Sequence, residues 1–315
     1  MRIFPLPRAV GFVARAGLVV LVYVAIGRTI KFSEMAIELT ASLAYAVGGA
    51  IMLTLIQAAI CAYRWIVVAR ATPNVPGFRP SFLAYMEGLF VNQVLPSVVG
   101  GDALRVIRWR EYGVSTAEAV VSVLGDRVFG VLGAAVLALV AVTQLWSFDV
   151  GQYWLPVAGA LAVAAILGCI VFFVLASSQW IPGLLQRSTR LVRFAERIAS
   201  VDLGRTDFVA CTLLSIAGQV LAGVSVLLIA RNLGIQTPAL VIVTVTALIV
   251  LISMVPISLA GWGVREASFL AILLPLGVSA EKAVLLGVLF GLQGLLASLI
   301  GGVSLLLQLS SPPDD

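Results

Sequence analysis

Long apolar runs recur along the whole chain, and they restrict its fold more than any other feature of the sequence. Several runs reach the length of about 20 residues that a helix needs to cross the hydrocarbon of a membrane. Backbone N–H and C=O groups find no water there, so a spanning segment must satisfy them internally, as a helix does. We therefore predict an all-α fold, a polytopic membrane helical bundle of about six full spans.

The low content of charged residues agrees with a membrane location. Only 11% of the 315 residues are charged, whereas soluble domains carry about 25%. We interpret the first span, which follows a short basic N-terminus, as an uncleaved helix because no convincing small-residue cleavage site follows it. The predicted spans are the apolar segment from residue 16 to about Ile30, Ala41–Arg70, Ser115–Trp146, Trp154–Ala176, Phe208–Arg231 and Glu281–Gln308.

The residue types that the chain lacks argue against several kinds of chemistry. It has no histidine, which is the most common metal ligand and the usual proton shuttle near neutral pH. Its cysteines, Cys61, Cys169 and Cys211, lie in apolar runs without a pairing pattern, and we interpret them as packing residues. The net charge of +5 fits the arginines of cytoplasmic loops better than a nucleic-acid partner. We predict no metal and no cofactor.

A stretch in the first half of the chain breaks the apolar pattern, within a predicted re-entrant hairpin at residues 81–112. It contains Pro96, which has no backbone N–H to donate, and then the flexible pair Gly100 and Gly101. Asp102 follows at once, and an arginine lies one helical turn further on. In a membrane such a break survives only where it is buried in protein or lines a wet cavity, so we predict a functional site here.

A second stretch has the same layout and predicts an internal repeat. Pro256, Gly261 and Gly263 precede Glu266, within a second predicted re-entrant hairpin at residues 238–276. Both acids, that of the first break and Glu266, are followed at the same distance by Gly-Val-Ser and then by Ala-Val. The predicted division is 1–150 for the first membrane repeat, 151–310 for the second and 311–315 for a disordered tail.

The two repeats are predicted to have opposite orientations in the membrane. If the hairpins are re-entrant, each repeat crosses three times, and an odd number inverts the second repeat relative to the first. With a cytoplasmic N-terminus, most arginines fall on the cytoplasmic side. One group, at Arg187–Arg197, has the spacing of an interfacial helix or an ordinary solvated one. We predict a protein of the cytoplasmic (inner) membrane with both termini in the cytoplasm.

Charged and polar residues at the two breaks form the predicted substrate-binding and translocation site. Half-helix ends that meet near mid-membrane offer free N–H groups and partial positive charge to a phosphate. Arginines add bidentate phosphate donors, which acids could hold in place. A structural role as a helix cap, an interfacial anchor or an ion pair is the alternative for each residue. The set is Asn92, Asp102, Arg105, Asp126, Arg127, Arg265 and Glu266, with Glu87 as its weakest member.

Three functions fit these residues. No P-loop, Ser-His-Asp arrangement, HExxH sequence or cysteine-rich metal pattern is present, so we do not predict an enzyme. The first hypothesis is a flippase-like protein that moves a polar-headed, phosphate-bearing lipid between leaflets. The second is a membrane subunit or enzyme of a lipid-linked glycosyl- or phosphotransferase pathway, with a soluble or membrane transferase as partner. The third is a carrier of a small anion. The sequence does not indicate an oligomeric state.

The order of residues around both breaks resembles the lysylphosphatidylglycerol synthase transmembrane (flippase-like) family. The resemblance covers nearly the whole chain. Family members usually have Glu at the positions of Asp102 and Asp126, and Gly130 stands where they often have an acid. The matching residues are Asn92, Pro96, Gly101-Asp102, Arg105, Gly113-Val114-Ser115 and Asp126-Arg127, and in the second half Pro256, Gly261, Gly263, Glu266 and Gly277-Val278-Ser279.

The resemblance implies an inner-membrane protein that moves a polar-headed lipid across the bilayer. In the aminoacyl-phospholipid synthases this membrane domain is joined to a soluble aminoacyl-transfer domain. The present sequence has no such segment, so lysyl transfer from tRNA is not expected. Stand-alone relatives are linked to glycolipid, hopanoid or polyprenyl-lipid pathways, so the resemblance does not specify the lipid.

Overall fold

The secondary structure of the protein is helical in all the parts that the computed structural model describes, which are residues 41–94, 98–148, 155–177, 204–255 and 260–310. The helices are α1 (Ala41–Val68), α2 (Phe78–Val94), α3 (Val98–Glu111), α4 (Thr116–Ser147), α5 (Leu155–Ser177), α6 (Arg205–Asn232), α7 (Ala239–Ser253), α8 (Val264–Leu273) and α9 (Ala280–Ser310). The predicted all-α fold class is confirmed for these ranges.

Five of the described helices, α1, α4, α5, α6 and α9, are long and apolar enough to cross a membrane. Their ends lie within a few residues of the predicted spans, because a long apolar run leaves a chain few alternatives to a spanning helix. These helices make the chain a multi-pass membrane protein. The predicted first span up to Ile30, the arginine-rich segment Arg187–Arg197 and the tail at 311–315 lie outside the described residues.

The first break separates α2 from α3, as the sequence predicts. However, α3 begins at Val98, so Gly100 and Gly101 lie in its first turn rather than before it. The flexible glycine pair of the first break is therefore part of the helix and does not precede it. A glycine pair is tolerated in a first turn, where the backbone N–H groups have no partners inside the helix and can be held from outside. Pro96 lies outside the described residues.

The second break separates α7 from α8. Gly261 and Gly263 have φ values of 80° and 84°, in the left-handed region that glycine adopts without steric cost. They turn the chain into α8, for which Gly263 is the N-cap residue. Pro256 lies outside the described residues.

The two halves of the chain interlock. The most extensive contact joins α1 to α6, and each hairpin packs against the long helix that ends the other half: α2 against α9, and α7 against α4. Small residues allow these close approaches. A Cβ on Gly301 of α9 would overlap the backbone of Met86 in α2, and a Cβ on Gly223 of α6 would clash with Val243 in α7.

The apolar core lies mainly between α4, α6, α7, α8 and α9, where alanines such as Ala134 and Ala138 are fully buried against larger side chains such as Leu248 and Phe269. A second, smaller cluster surrounds Trp65 between α1, α2, α3 and α4. This smaller cluster lies next to the largest group of buried charges and forms its apolar wall.

Candidate functional site

Asp126 is the centre of a buried ionic network in the first half of the protein. Its side chain accepts hydrogen bonds of 2.8 Å from Arg64 Nε and from Arg105 Nη2. Arg64 Nη1 also donates to Ser215 Oγ at 2.9 Å. The network therefore joins α1, α3 and α4 through ion pairs, and it reaches α6 through the Ser215 hydroxyl. Asp126 is only 1% exposed.

The start of α4 brings Asp126 to this position. Ser115 and Glu118 form a capping box, in which Glu118 N–H donates to Ser115 Oγ at 3.3 Å and Ser115 N–H donates to the Glu118 carboxylate at 3.2 Å. The box fixes where the helix begins, and helical periodicity then turns Asp126 toward the protein interior. A buried carboxylate at this depth is tolerated only when cations pair with it, as both arginines do here.

Aromatic rings surround Arg105. Its guanidinium carbon lies 4.1 Å from the centroid of the Trp65 ring and 4.7 Å from that of the Tyr85 ring. Trp65 in turn stacks on Trp109 at 3.9 Å and donates from Nε1 to Ser122 Oγ at 3.0 Å. Cation–π contacts thus add to the ion pair in holding Arg105 in place, and they are stronger where water is excluded.

Asp102 and Arg127 form the accessible edge of the same group. The Asp102 carboxylate accepts from Arg127 Nη2 at 2.8 Å and from Arg127 Nε at 3.0 and 3.1 Å, which is a bidentate ion pair. The Arg127 side chain is 38% exposed and that of Asp102 is 22% exposed, whereas the side chains of Arg105 and Asp126 are nearly sealed. Arg105 Nη1 lies 3.6 Å from Asp102 and connects the edge to the buried network.

The excess charge of this group is positive. It contains three arginines, Arg64, Arg105 and Arg127, and two aspartates, Asp102 and Asp126. We call these five residues the first-hairpin cluster. One unit of unbalanced positive charge inside apolar helices attracts an anion, and its exposed edge is where an anion can reach it.

Asn92 supports the hairpin rather than the charged cluster. Its Oδ1 accepts from the Gly101 N–H at 2.9 Å, which satisfies a donor in the first turn of α3. A Cβ on Gly101 would overlap the backbone oxygen of Gly88, so the two arms of the hairpin touch at these glycines. Asp102 is the fifth residue of α3, and it therefore does not act as the helix cap that the sequence left as an alternative.

The other two predicted site residues, Arg265 and Glu266, lie at the start of α8. Glu266 is fully buried; its Oε2 accepts from the Gly263 N–H at 2.5 Å and its Oε1 lies 3.3 Å from Arg265 Nη2. The Arg265 guanidinium lies over the rings of Trp262 and Phe290, at 4.7 and 5.6 Å. Glu266 thus acts both as a cap for α8 and as an ion-pair partner.

The structure therefore brings four of the seven predicted residues into one cluster and places Arg265 and Glu266 at the other hairpin. The helix α9 contacts both hairpins. Glycines of α9 make this possible: Gly287 and Gly291 face Glu266 and Arg265, while Gly301 faces α2.

Glu87, the weakest of the predicted residues, links three helices. Its carboxylate accepts from Arg108 Nε at 2.6 Å in α3, and from Ser304 Oγ at 2.6 Å and Gln308 Nε2 at 2.9 Å in α9. It is 1% exposed. These bonds support a structural role for Glu87, in which it fastens the first hairpin to α9.

Sequence reasoning missed Arg64 and the aromatic rings around Arg105. The prediction that most arginines lie on the cytoplasmic side includes both Arg64 and Arg105, although the latter is also a predicted site residue, whereas the two are only 4% and 3% exposed. The mistake has a physical cause, because an arginine near the end of an apolar run looks like a membrane-interface residue unless its partner is known. If these two residues are left out, arginines are still more numerous on the predicted cytoplasmic side. The orientation of the termini stays a prediction.

The described residues offer no group of three or more acidic or cysteine side chains that could hold a metal ion. A comparison with family models matches residues 9–302 to one described as the lysylphosphatidylglycerol synthase TM region. Comparisons with curated proteins and with solved structures gave no match.

Proposed function

Because the chain belongs to the lysylphosphatidylglycerol synthase transmembrane family, we propose that it moves a lipid with a phosphate-bearing headgroup between the two leaflets of its membrane. The first-hairpin cluster provides the place where the headgroup binds. The lipid chains stay in the hydrocarbon beside it, since a transmembrane helix bundle offers them an apolar flank.

The observation that carries this proposal is the accessible Arg127–Asp102 pair on a cluster with one more arginine than aspartate. A guanidinium binds a phosphate with the same two-pronged geometry that it uses for a carboxylate. A phosphate that approaches Arg127 can therefore replace Asp102 as its partner. When Asp102 returns, the phosphate is released, which allows binding and release without an irreversible step.

The sealed part of the cluster keeps the accessible part in position. Arg64 and Arg105 both pair with Asp126 below the surface, with exposed side-chain fractions of 5% or less. Their excess positive charge is weakly screened in this environment and adds to the attraction of Arg127 for an anion.

The packing of the two halves supports the inverted repeat and the re-entrant hairpins that such a mechanism uses. Each hairpin packs against the last long helix of the other half. At 10 residues α8 is about 15 Å long, about half the thickness of the hydrocarbon. A hairpin of such short helices can enter and leave on one side, so that polar groups reach the middle of the membrane from both faces.

The test is reconstitution of the purified protein into liposomes that carry fluorescent phospholipids in one leaflet. We expect the wild-type protein to speed the movement of an anionic phospholipid to the other leaflet. Arg127→Gln removes a charged hydrogen-bond donor, and we expect the rate to fall at least about tenfold. Arg70→Gln is the matched control, because Arg70 also pairs with an aspartate at 2.8 Å, but at the surface.

Three outcomes would contradict the proposal. The first is that wild-type protein moves no anionic lipid at all. The second is that it transports inorganic phosphate and leaves lipids in place, which favours the carrier of a small anion. The third is that purified protein forms a product from a lipid and an activated sugar, which favours the transferase pathway.

A further inference from the structure

A cavity of about 130 Å³ lies between α1, α2 and α9, next to the first-hairpin cluster. Its lining includes the polar side chains of Thr54 and Gln57 from α1 and of Tyr85 and Gln93 from α2, together with Gly294 of α9. An apolar cavity of about 150 Å³ holds a benzene molecule, so this one has room for a group of about six non-hydrogen atoms. We call it the amide cavity.

The amide cavity combines an apolar lining, which includes Ala58 and Leu89, with a few polar side chains, and its only ionisable groups are the Tyr85 phenol and the Cys61 thiol. The Gln93 Oε1 atom is buried and has no hydrogen-bond partner among the described residues. A buried amide that lacks a partner costs free energy, and an amide presents both donors and an acceptor. A hydroxyl group is a small neutral group that can donate to the amide oxygen or accept from the amide nitrogen.

Two buried arginines, Arg105 and Arg265, lie close to residues that line the amide cavity or neighbour its lining. Tyr85 forms one wall, and its ring also contacts the Arg105 guanidinium at 4.7 Å. Gly294 forms another wall, one helical turn from Gly291, where an added Cβ would overlap the Arg265 guanidinium. Positive charge nearby and no carboxylate in the lining disfavour an ammonium group, since it would have no counter-charge.

From this arrangement we propose that the amide cavity is a headgroup subsite, which binds the hydroxyl-bearing end of a phosphate ester through Gln57 and Gln93. The proposal rests on the proposed function, which supplies the phosphate at the adjacent arginines. It adds a preference: the transported headgroup is neutral and hydroxylated beyond its phosphate, rather than cationic.

The test measures binding to the full-length protein in detergent, by isothermal titration calorimetry with three lipids that share two octanoyl chains. The lipids are phosphatidylglycerol, with hydroxyls beyond the phosphate, phosphatidylethanolamine, with an ammonium group, and phosphatidic acid, with neither. We expect phosphatidylglycerol to bind about tenfold more tightly than the other two. In Gln93→Leu this preference is lost while the affinity for phosphatidic acid is unchanged.

Gln144→Leu is the matched control, because Gln144 of α4 bonds to Thr244 and does not line the amide cavity. It should keep the preference. Gln57→Leu is the second variant, for the case that Gln93→Leu does not fold, and it should also lose the preference. The proposal is overturned if wild-type protein binds the three lipids equally, if it prefers the ammonium headgroup, or if the preference survives in both variants.

Binding and transport fail separately in this design. If the hydroxyl preference is present but labelled lipids do not cross liposomes, the subsite stands and the proposed function fails. If lipids cross but the preference is absent, only the subsite fails. If glycerol 1-phosphate, which has no acyl chains, binds as tightly as the lipid, the ligand is a soluble phosphate ester and the lipid assignment is overturned.

Discussion

The two hairpins pair an acid with a guanidinium, but they draw the guanidinium from different places. When Asp102 is aligned with Glu266, Arg127 falls on Gly291. In the first hairpin the arginine comes from α4, a separate helix. In the second, Arg265 comes from α8 itself and lies so close to Gly291 that a Cβ there would overlap its guanidinium. In the second half, the arginine that pairs with the acid is thus its neighbour in the chain, and its guanidinium lies where the absence of a side chain on Gly291 leaves space.

This difference changes what the ion pairs do for the fold. At the first hairpin, ion pairs connect α1, α3 and α4, and a hydrogen bond from Arg64 to Ser215 adds α6, so these contacts fix the four helices relative to one another. In the second hairpin, Arg265 and Glu266 are neighbours in the chain, and the contact of α8 with α9 depends on glycine packing and aromatic faces. We infer that ion pairs between helices stabilise the position of the first hairpin, whereas close packing stabilises that of the second.

The largest expected effect separates the two acids. Asp126→Asn leaves Arg64 and Arg105 buried without their counter-charge, and we expect it to lower the free energy of unfolding by about 3–5 kcal/mol. Glu266→Gln keeps an acceptor for the Gly263 N–H but removes the counter-charge of Arg265, which still lies over two aromatic rings, so we expect a smaller loss of about 1–2 kcal/mol. Unfolding titrations with sodium dodecyl sulfate in mixed micelles measure both. Equal losses would show that the two hairpins are held in the same way.

The next largest effect concerns close packing. Gly101→Ala places a methyl group against the backbone oxygen of Gly88, which cannot move without opening the hairpin, so we expect a loss of about 1–3 kcal/mol. Gly291→Ala meets the end of the Arg265 side chain, which can swing away. We therefore expect a smaller loss of stability for Gly291→Ala in the same titration. A larger loss of stability for Gly291→Ala than for Gly101→Ala would mean that the Arg265 side chain cannot move aside.

An exchange of residues tests the alignment itself. The double variant Arg265→Gly with Gly291→Arg moves the guanidinium to the position that corresponds to Arg127. We expect it to recover about 1 kcal/mol of the stability that Arg265→Gly loses alone, because the arginine can again reach Glu266. Thermal melting of the single and double variants measures the coupling free energy between the two substitutions. No recovery would indicate that the resemblance of the two halves does not extend to this contact.

The smallest effect is expected at the surface. Arg70→Gln breaks a pair with Asp207 in which the arginine side chain is 66% exposed, and we expect a change of about 0.5 kcal/mol or less. The same titration series measures it, and adding salt should reduce the difference further. A loss as large as that of Asp126→Asn would contradict the distinction between buried and exposed ion pairs.

Much of the candidate site could be predicted from the sequence, because charged residues in apolar helices are costly and therefore conspicuous. Asp102, Asp126 and Arg127 were singled out for this reason, and they lie together. Arg64 was missed because its partner, Asp126, is far away in the chain, and only the packing of α1 against α4 brings them together. Gln93 was missed because a single amide in an apolar helix carries no charge to signal its cost.

The sequence by itself determined the all-α membrane fold, the ends of the long helices and the two breaks, because hydrocarbon length and backbone hydrogen bonding leave few alternatives. Only the tertiary structure decided which arginine pairs with which carboxylate. Asp102 pairs with Arg127, and Asp126 pairs with Arg64 and Arg105, in contacts that join separate helices and therefore depend on how these helices pack. It also decided that Arg265 stands in the space left by Gly291, since helix packing, unlike helix formation, depends on residues far apart in the chain.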